Sequence, residues 1–234
     1  MNLIMDIRYY PSKIDNYNHD TYLGTPYNLE DIWMATSALK RFLLKLREID
    51  FRLPGFDHIY ISLTPKLNEN EVVMSDKADP YHEFFREFYV GISPDFFNNL
   101  NEGKKNFLLI EKAVDVIQKY YCESDEEKAN ISQCAEMIMK NGEDEKIIFK
   151  EKKSDQYSVQ VIVRVLNNGD FKVYVRIICN QRIVKEIEYP RNLTQDELAF
   201  QFGTISIGRK IVLIKPKKST AIYDFKDIRY ELNV

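Results

Sequence analysis

The chain predicts an α+β protein in which a helix-rich α/β N-terminal part is followed by an antiparallel β-meander. Three observations lead there. Between Tyr157 and Tyr189 two alternating apolar runs flank Asn167-Asn168-Gly169-Asp170, and a third run follows Asn180-Gln181-Arg182. Asn and Gly tolerate the positive φ of tight hairpin turns, so this stretch reads as a meander. Upstream, apolar residues recur at three- and four-residue spacing in separate stretches, the period of a helix face. Between the two regimes lies Gly142-Glu143-Asp144-Glu145, a polar turn at which the periodicity changes. The reading therefore divides the chain into residues 1–142, with about three helices and three to four strands, and residues 143–234, mainly antiparallel sheet with one short helix.

The elements follow in order. Leu3 to Tyr10 alternates around Asp6 and Arg8 as a strand and stops at Pro11; Ser12 to Asn28 is a polar, Tyr-rich loop. Asn28 is an N-cap with Glu30 and Asp31 in the first turn, and Leu29, Ile32, Trp33, Leu39, Leu43 and Leu46 then mark a helix of about five turns that ends before Pro54-Gly55. His58–Leu63, Val72–Met74 and Phe84–Ile92 read as strands, the last ending at Ser93-Pro94, which fits an N-cap followed by proline at the first helical position. Phe107, Ile110, Val114, Ile117 and Tyr121 mark the next helix. Ser124 with Glu127 three residues on is a capping box for another, which carries Ile131, Cys134 and Ile138 inward and ends at Gly142. In the second part Ile147–Phe149, Tyr157–Leu166, Phe171–Cys179 and Ile183–Tyr189 are successive strands. A short helix starts at Thr194 with Glu197 completing its capping box, Thr204–Ile207 pairs with Ile211–Lys215 across Gly208-Arg209-Lys210, and Ile222–Leu232 supplies further strand.

Composition narrows the class. With 234 residues, of which 44% are hydrophobic, the chain can fill a core. It contains no run of about 18 apolar residues, and its N-terminus lacks the basic and long apolar regions of a secretory signal, so the expectation is a cytoplasmic protein with no membrane partner. Cys122, Cys134 and Cys179 form no C-x-x-C pair and read as reduced thiols. The net charge of −3 hides an asymmetry: residues 151–234 carry 15 Lys+Arg against 10 Asp+Glu, a balance of +5, which leaves −8 for residues 1–150.

Tested for chemistry, the chain offers little. Gly203 to Lys210 nearly spells a phosphate loop, but Arg209 stands where its lysine belongs, and Ile211-Val212-Leu213-Ile214 continues as a strand instead of a helix. His19, His58 and His82 are far apart, and the acidic stretch Asp76, Asp79, His82, Glu83 lacks the spacing of a known metal loop, so no metal and no cofactor are expected. No nucleophile elbow appears. An acid–base enzyme would have to use carboxylates or His82 with Asp79 or Glu83. Arg209, Lys210, Lys215, Lys217 and Lys218 near Tyr223 and Phe225 have the makings of a nucleic-acid contact; edge-strand protection explains the same lysines, and nucleic acid is not the expected partner.

Protein binding has the positive signals. Tyrosines cluster in predicted loops and at element ends, at Tyr9, Tyr10, Tyr17, Tyr22, Tyr27, Tyr81, Tyr120 and Tyr121, and acidic runs stand at Glu123, Asp125, Glu126, Glu127 and at Glu143, Asp144, Glu145. The segment Ile59-Tyr60-Ile61-Ser62-Leu63-Thr64-Pro65, then Phe84 to Ile92 leading into Ser93-Pro94-Asp95-Phe96-Phe97-Asn98, resembles small α+β immunity proteins of bacterial polymorphic toxin systems of the contact-dependent inhibition type. The likeness is one of general style over roughly the first 120 residues. It implies a non-catalytic inhibitor that plugs the active site of one cognate toxin domain, such as a nuclease, through an acidic, aromatic surface. The residues assigned to that surface are Asp76, Asp79, Tyr81, His82, Glu126 and Glu127.

Overall fold

A computed structural model of the chain describes residues 1–11, 29, 36–75, 83–218 and 225–232. They form two units, Met1–Gly142 and Glu143–Val234. The protein is α+β, with a mixed helix–sheet first unit and antiparallel sheets in the second. No helix among the described residues is long and apolar enough to cross a membrane.

In the first unit the strands β1 (Asn2–Leu3), β2 (Asp6–Pro11), β3 (Arg52–Leu53), β4 (His58–Thr64), β5 (Val72–Met74) and β6 (Phe85–Gly91) alternate with the helices α1 (Thr36–Glu48), α2 (Pro94–Asn98), α3 (Glu102–Tyr121) and α4 (Asp125–Asn141). The main sheet has the order β2-β4-β6-β5. β2, β4 and β6 run parallel, and β5 is antiparallel on the outer edge. A parallel pair needs a crossover, and α1 supplies it between β2 and β4. Period-2 alternation then sorts the side chains. Ile7 and Tyr9 of β2, Ile59, Ile61 and Leu63 of β4 and Phe88 and Val90 of β6 are buried on one face. Tyr9 reaches α3 there through a hydrogen bond to the Leu109 carbonyl, and Phe88 packs on Tyr120 and Tyr121.

α1, α3 and α4 pack on one another, and Phe42 and Leu46 of α1, Val116 and Ile117 of α3, and Ile131 and Ile138 of α4 are nearly or wholly buried. Gln118 joins α3 to α4 by donating to the Lys128 carbonyl and the Ser132 hydroxyl, each at 2.8 Å. Lys119 and Tyr120 donate to the carbonyl of Val72 and so pin the edge strand β5 onto α3. Gly91 ends β6 against the loop before β5. A Cβ there would stand 1.8 Å from the carbonyl oxygen of Asn68, so only glycine permits the approach.

The predicted strand Leu3–Tyr10 is corrected to two. β1 pairs antiparallel with β3, and after Ile4 and Met5 the chain continues as β2 beside β4. The predicted helix is described over Thr36–Glu48; its expected cap Asn28, with Glu30, Asp31, Ile32 and Trp33, lies outside the described residues. Ser93 caps α2 with Pro94 at its first position, and Ser124 with Glu127 forms the capping box of α4.

The second unit opens with β7 (Ile147–Lys153), β8 (Tyr157–Val165), β9 (Phe171–Cys179) and β10 (Arg182–Glu188), an antiparallel meander in the order β10-β9-β8-β7. Asn180 and Gln181, at φ 46° and 66°, make the two-residue turn between β9 and β10, the double positive φ of a type I′ hairpin. Val159, Val161, Val163 and Val165 of β8 align with Ile177, Val175, Val173 and Phe171 of β9, all at 1% exposure or less. The opposite face carries an ion-pair cluster beside buried Ile162 and Tyr174: Glu186 accepts from Lys146 at 2.6 Å and from Arg176 at 2.7 Å. α5 (Gln195–Gln201), with its Thr194–Glu197 capping box, leads into β11 (Thr204–Ile207), β12 (Ile211–Lys215) and β13 (Ile228–Glu231), an antiparallel sheet in that order. Lys150 donates to the carbonyls of Phe202 and Gly203 at the end of α5, where a cation suits the helix terminus. Burial, then nearby Lys217, lowers its pKa below the usual lysine range.

Candidate functional site

The face of the first sheet opposite the helices carries a different chemistry from the buried one. Aligned residues of neighbouring parallel strands point the same way, so the register builds three rows across β2, β4 and β6: Asp6, His58, Phe85; Arg8, Tyr60, Glu87; and Tyr10, Ser62, Tyr89. Four of these nine side chains are aromatic rings other than histidine, and three are charged. Tyr89 and Ser62 are buried, whereas Asp6, Tyr10, His58, Tyr60, Phe85 and Glu87 are half-buried and Arg8 is exposed.

The rings touch in a chain. His58 lies 4.6 Å from Phe85, Phe85 lies 4.7 Å from Tyr60, and Tyr60 meets Tyr10 edge-on at 5.5 Å. The Arg8 guanidinium stands 5.7 Å from the Tyr60 ring centre and pairs with Asp6 at 2.5 Å. Burial works to lower the Arg8 pKa, but Asp6, with Tyr10 and Tyr60, outweighs it and raises the value above the usual range. Ser62 donates to Glu87 at 2.8 Å. Asp57, the residue before β4, stands with its Oδ1 2.5 Å from Nδ1 of His58. An ionised carboxylate only accepts, so Nδ1 carries the proton of that bond. Among the described residues Nε2 has no hydrogen-bond partner.

The residues assigned from sequence fall elsewhere. Asp76, Asp79, Tyr81 and His82 lie outside the described residues, in the segment between β5 and β6. Glu126 is exposed in the first turn of α4. Glu127 is the third-position partner of Ser124 in the capping box of that helix: its Oε2 accepts from the backbone N–H of Glu123 at 2.7 Å and of Ser124 at 3.1 Å, and those two bonds hold its carboxyl below the usual glutamate range. Both stand in the helical layer, apart from the ring face. The residues that sequence reasoning missed are Asp57, His58, Tyr60 and Phe85 with Arg8. The signal was the alternation itself: His58, Tyr60 and Ser62 interleave with Ile59, Ile61 and Leu63.

The basic stretch of the second unit is divided by the strand it contains. Arg209 and Lys210 occupy the β11–β12 turn, whereas Lys215, Lys217 and Lys218 lie at and beyond the far end of β12. Four strand residues, Ile211 to Ile214, separate the two groups, about 16 Å of rise from Lys210 to Lys215. Tyr223 lies outside the described residues. Cys134 is buried and Cys122 and Cys179 are half-buried, and none of the three is in a disulfide. No group of three or more metal-ligating side chains occurs among the described residues. Comparison with family models, with curated proteins and with solved structures finds no match for this chain.

Proposed function

We propose that the chain is an immunity-type binding protein that acts in the cytoplasm and neutralises one cognate toxin domain by lying across its active site, with no catalysis of its own. Its contact is the ring-and-charge face of the first unit. One observation carries this reading: a parallel sheet places Tyr10, Tyr60, Phe85 and His58 in ring contact, half-buried, with Arg8, Asp6, Asp57 and Glu87 around them. Tyrosine and arginine dominate binding hot spots, where large rigid rings supply contact area and charges stand at the rim. Carboxylates steer a basic partner toward them.

The test is genetic and direct. The toxin domain encoded beside this gene is expressed with and without the chain in the same cell. Restored growth on co-expression supports the proposal. Undiminished toxicity, or the lack of any toxin gene alongside, contradicts it.

A second reading has its own observation, the His58–Asp57 pair, which has the orientation of an acid–base dyad. Ser62 is the hydroxyl of the same strand and face, but it is four residues along β4, about 13 Å of rise, and is committed to Glu87. An enzyme built here would act on water or on a substrate hydroxyl. Turnover abolished by His58→Ala in a screen of hydrolytic substrates favours that reading over binding.

A further inference from the structure

Independently of the contact proposed for the first unit, we infer that the outer face of the β11-β12-β13 sheet is a nucleic-acid surface that holds the phosphodiester backbone of a single strand. Opposed residues of antiparallel strands share a face, and the register sorts this sheet cleanly. Ile205, Val212 and Ile214 are buried on one side. Thr204 with Lys215, Ser206 with Leu213 and Arg229, and Ile211 with Glu231 form the rows of the other, where all but the half-buried Leu213 are exposed. Arg229 supplies what the β11–β12 hairpin lacks by itself. It stands level with Leu213, about 7 Å of rise from Lys215 on the way back to the Arg209-Lys210 turn, so cations recur along the strand instead of only at its ends.

The state of these charges points to a polyanion. In the meander, Lys146, Arg164, Lys172 and Arg176 each pair with a carboxylate. Arg209, Lys210, Lys215, Lys217, Lys218 and Arg229 are exposed, and among the described residues none of them forms an ion pair. The described acids of residues 204–232 are Asp227 and Glu231. Edge protection, the alternative drawn from the sequence, does not account for Lys215 and its neighbours, because β12 is the central strand of its sheet. Three features then select the occupant. The cations stand in line along the strands, as successive phosphates do. The hydroxyls of Thr204 and Ser206 lie on the same face, where they can donate to phosphate oxygens. Ile211, 45% exposed, and Leu213 give an apolar surface to sugars and unpaired bases, which a duplex keeps inside. An anionic bilayer would be met by inserting apolar side chains, and Ile211 is the one large apolar residue exposed on this face.

The test is fluorescence anisotropy of the full-length chain with fluorescein-labelled, mixed-sequence oligonucleotides about 12 nucleotides long, one of DNA and one of RNA. Micromolar binding is expected at low salt, with log K falling against log salt at a slope of about −2 to −3, as three to four phosphate contacts on a single strand give. Lys215→Gln with Arg229→Gln is expected to weaken binding about tenfold and to reduce that slope by about 1. Lys104→Gln with Lys140→Gln removes the same charge from exposed positions of α3 and α4 and is expected to bind as the wild type does. All four substitutions replace exposed side chains, and the variants are expected to share the wild-type circular dichroism spectrum. The oligonucleotide bound more tightly names the source, and equal affinity assigns the contact to the phosphodiester that RNA and DNA share. No binding to either, an equal loss in the two double variants, or polyglutamate competing as well as unlabelled oligonucleotide overturns the inference. So does binding to phosphatidylserine vesicles in place of the oligonucleotides.

Discussion

Tyr9 of the sheet donates its hydroxyl to the main-chain carbonyl of Leu109, 2.5 Å away on α3 and 100 residues along the chain. The bond ties the buried face of β2 to the helical layer at a point where the phenol is wholly enclosed. Burial, then the charge of Asp115, pushes the Tyr9 pKa well above the usual tyrosine range.

Tyr9→Phe removes one buried hydrogen bond while keeping the ring, so it is expected to cost about 1 kcal/mol at neutral pH. The pH dependence has a definite sign. A group whose pKa is raised by folding contributes stability that is complete below its unfolded value, about 10 for tyrosine, and is lost as pH rises toward the folded value. The variant should therefore lose stability less steeply than the wild type above pH ~10, as read from urea midpoints.

Gly91→Ala drives a Cβ against the Asn68 carbonyl, a backbone atom that cannot swing aside. Overpacking of this kind typically costs about 1–3 kcal/mol. Gly103→Ala is the control, because its Cβ would find nothing nearer than the Asn101 side chain at 3.6 Å, and alanine suits a helix better than glycine. Thermal denaturation should lower the midpoint for the first and leave the second equal or higher.

Glu186 unites two cations of the second unit, Lys146 and Arg176, and hydrogen bonds from those side chains hold its carboxyl below the usual glutamate range. A carboxyl lowered in this way stabilises the fold above its unfolded value, about 4.3, and the contribution is lost as pH falls through the folded value. With the Glu186 side chain 28% exposed, the two ion pairs together are discounted to about 0.5–1 kcal/mol. Glu186→Gln should show that deficit at pH ~7, shrinking toward pH ~3, in urea titrations of the full chain.

β10 ends its sheet with Ile183 and Val184 each 58% exposed, yet it is guarded. The register slips between Ile183 and Lys185, a bulge that bends the edge, and Lys185 places a charge on it. Lys185→Val creates an exposed run of three β-branched residues. Its weight-average mass in sedimentation should rise with concentration more steeply than that of the wild type.

How far the sequence could be read follows from what is local. The Asn180-Gln181 turn and the valines of β8 are encoded within a dozen residues, and they appear where the pattern placed them. The capping boxes at Ser124 and Thr194 are equally local. The division of Leu3–Tyr10 into two strands was not legible, because Ile4 and Met5 do not interrupt the apolar pattern; what changes there is the partner, from Leu53 to the His58 strand. The candidate face was hidden for the same reason. Asp6, His58 and Phe85 share a row only through the register of three strands distant in sequence. Local charge density instead drew attention to Asp76, Asp79 and His82, which lie outside the described residues, and to Glu126 and Glu127, which stand at a helix start.

Titration calorimetry of the cognate toxin domain into wild type and Tyr60→Ala decides whether the Tyr60 face is the proposed contact surface. Nanomolar affinity is expected for the wild type, about −12 kcal/mol, and at least about tenfold weaker binding for the variant, with the two proteins equally folded by circular dichroism. Equal affinity of the two, or no heat of binding with the wild type, contradicts that proposal.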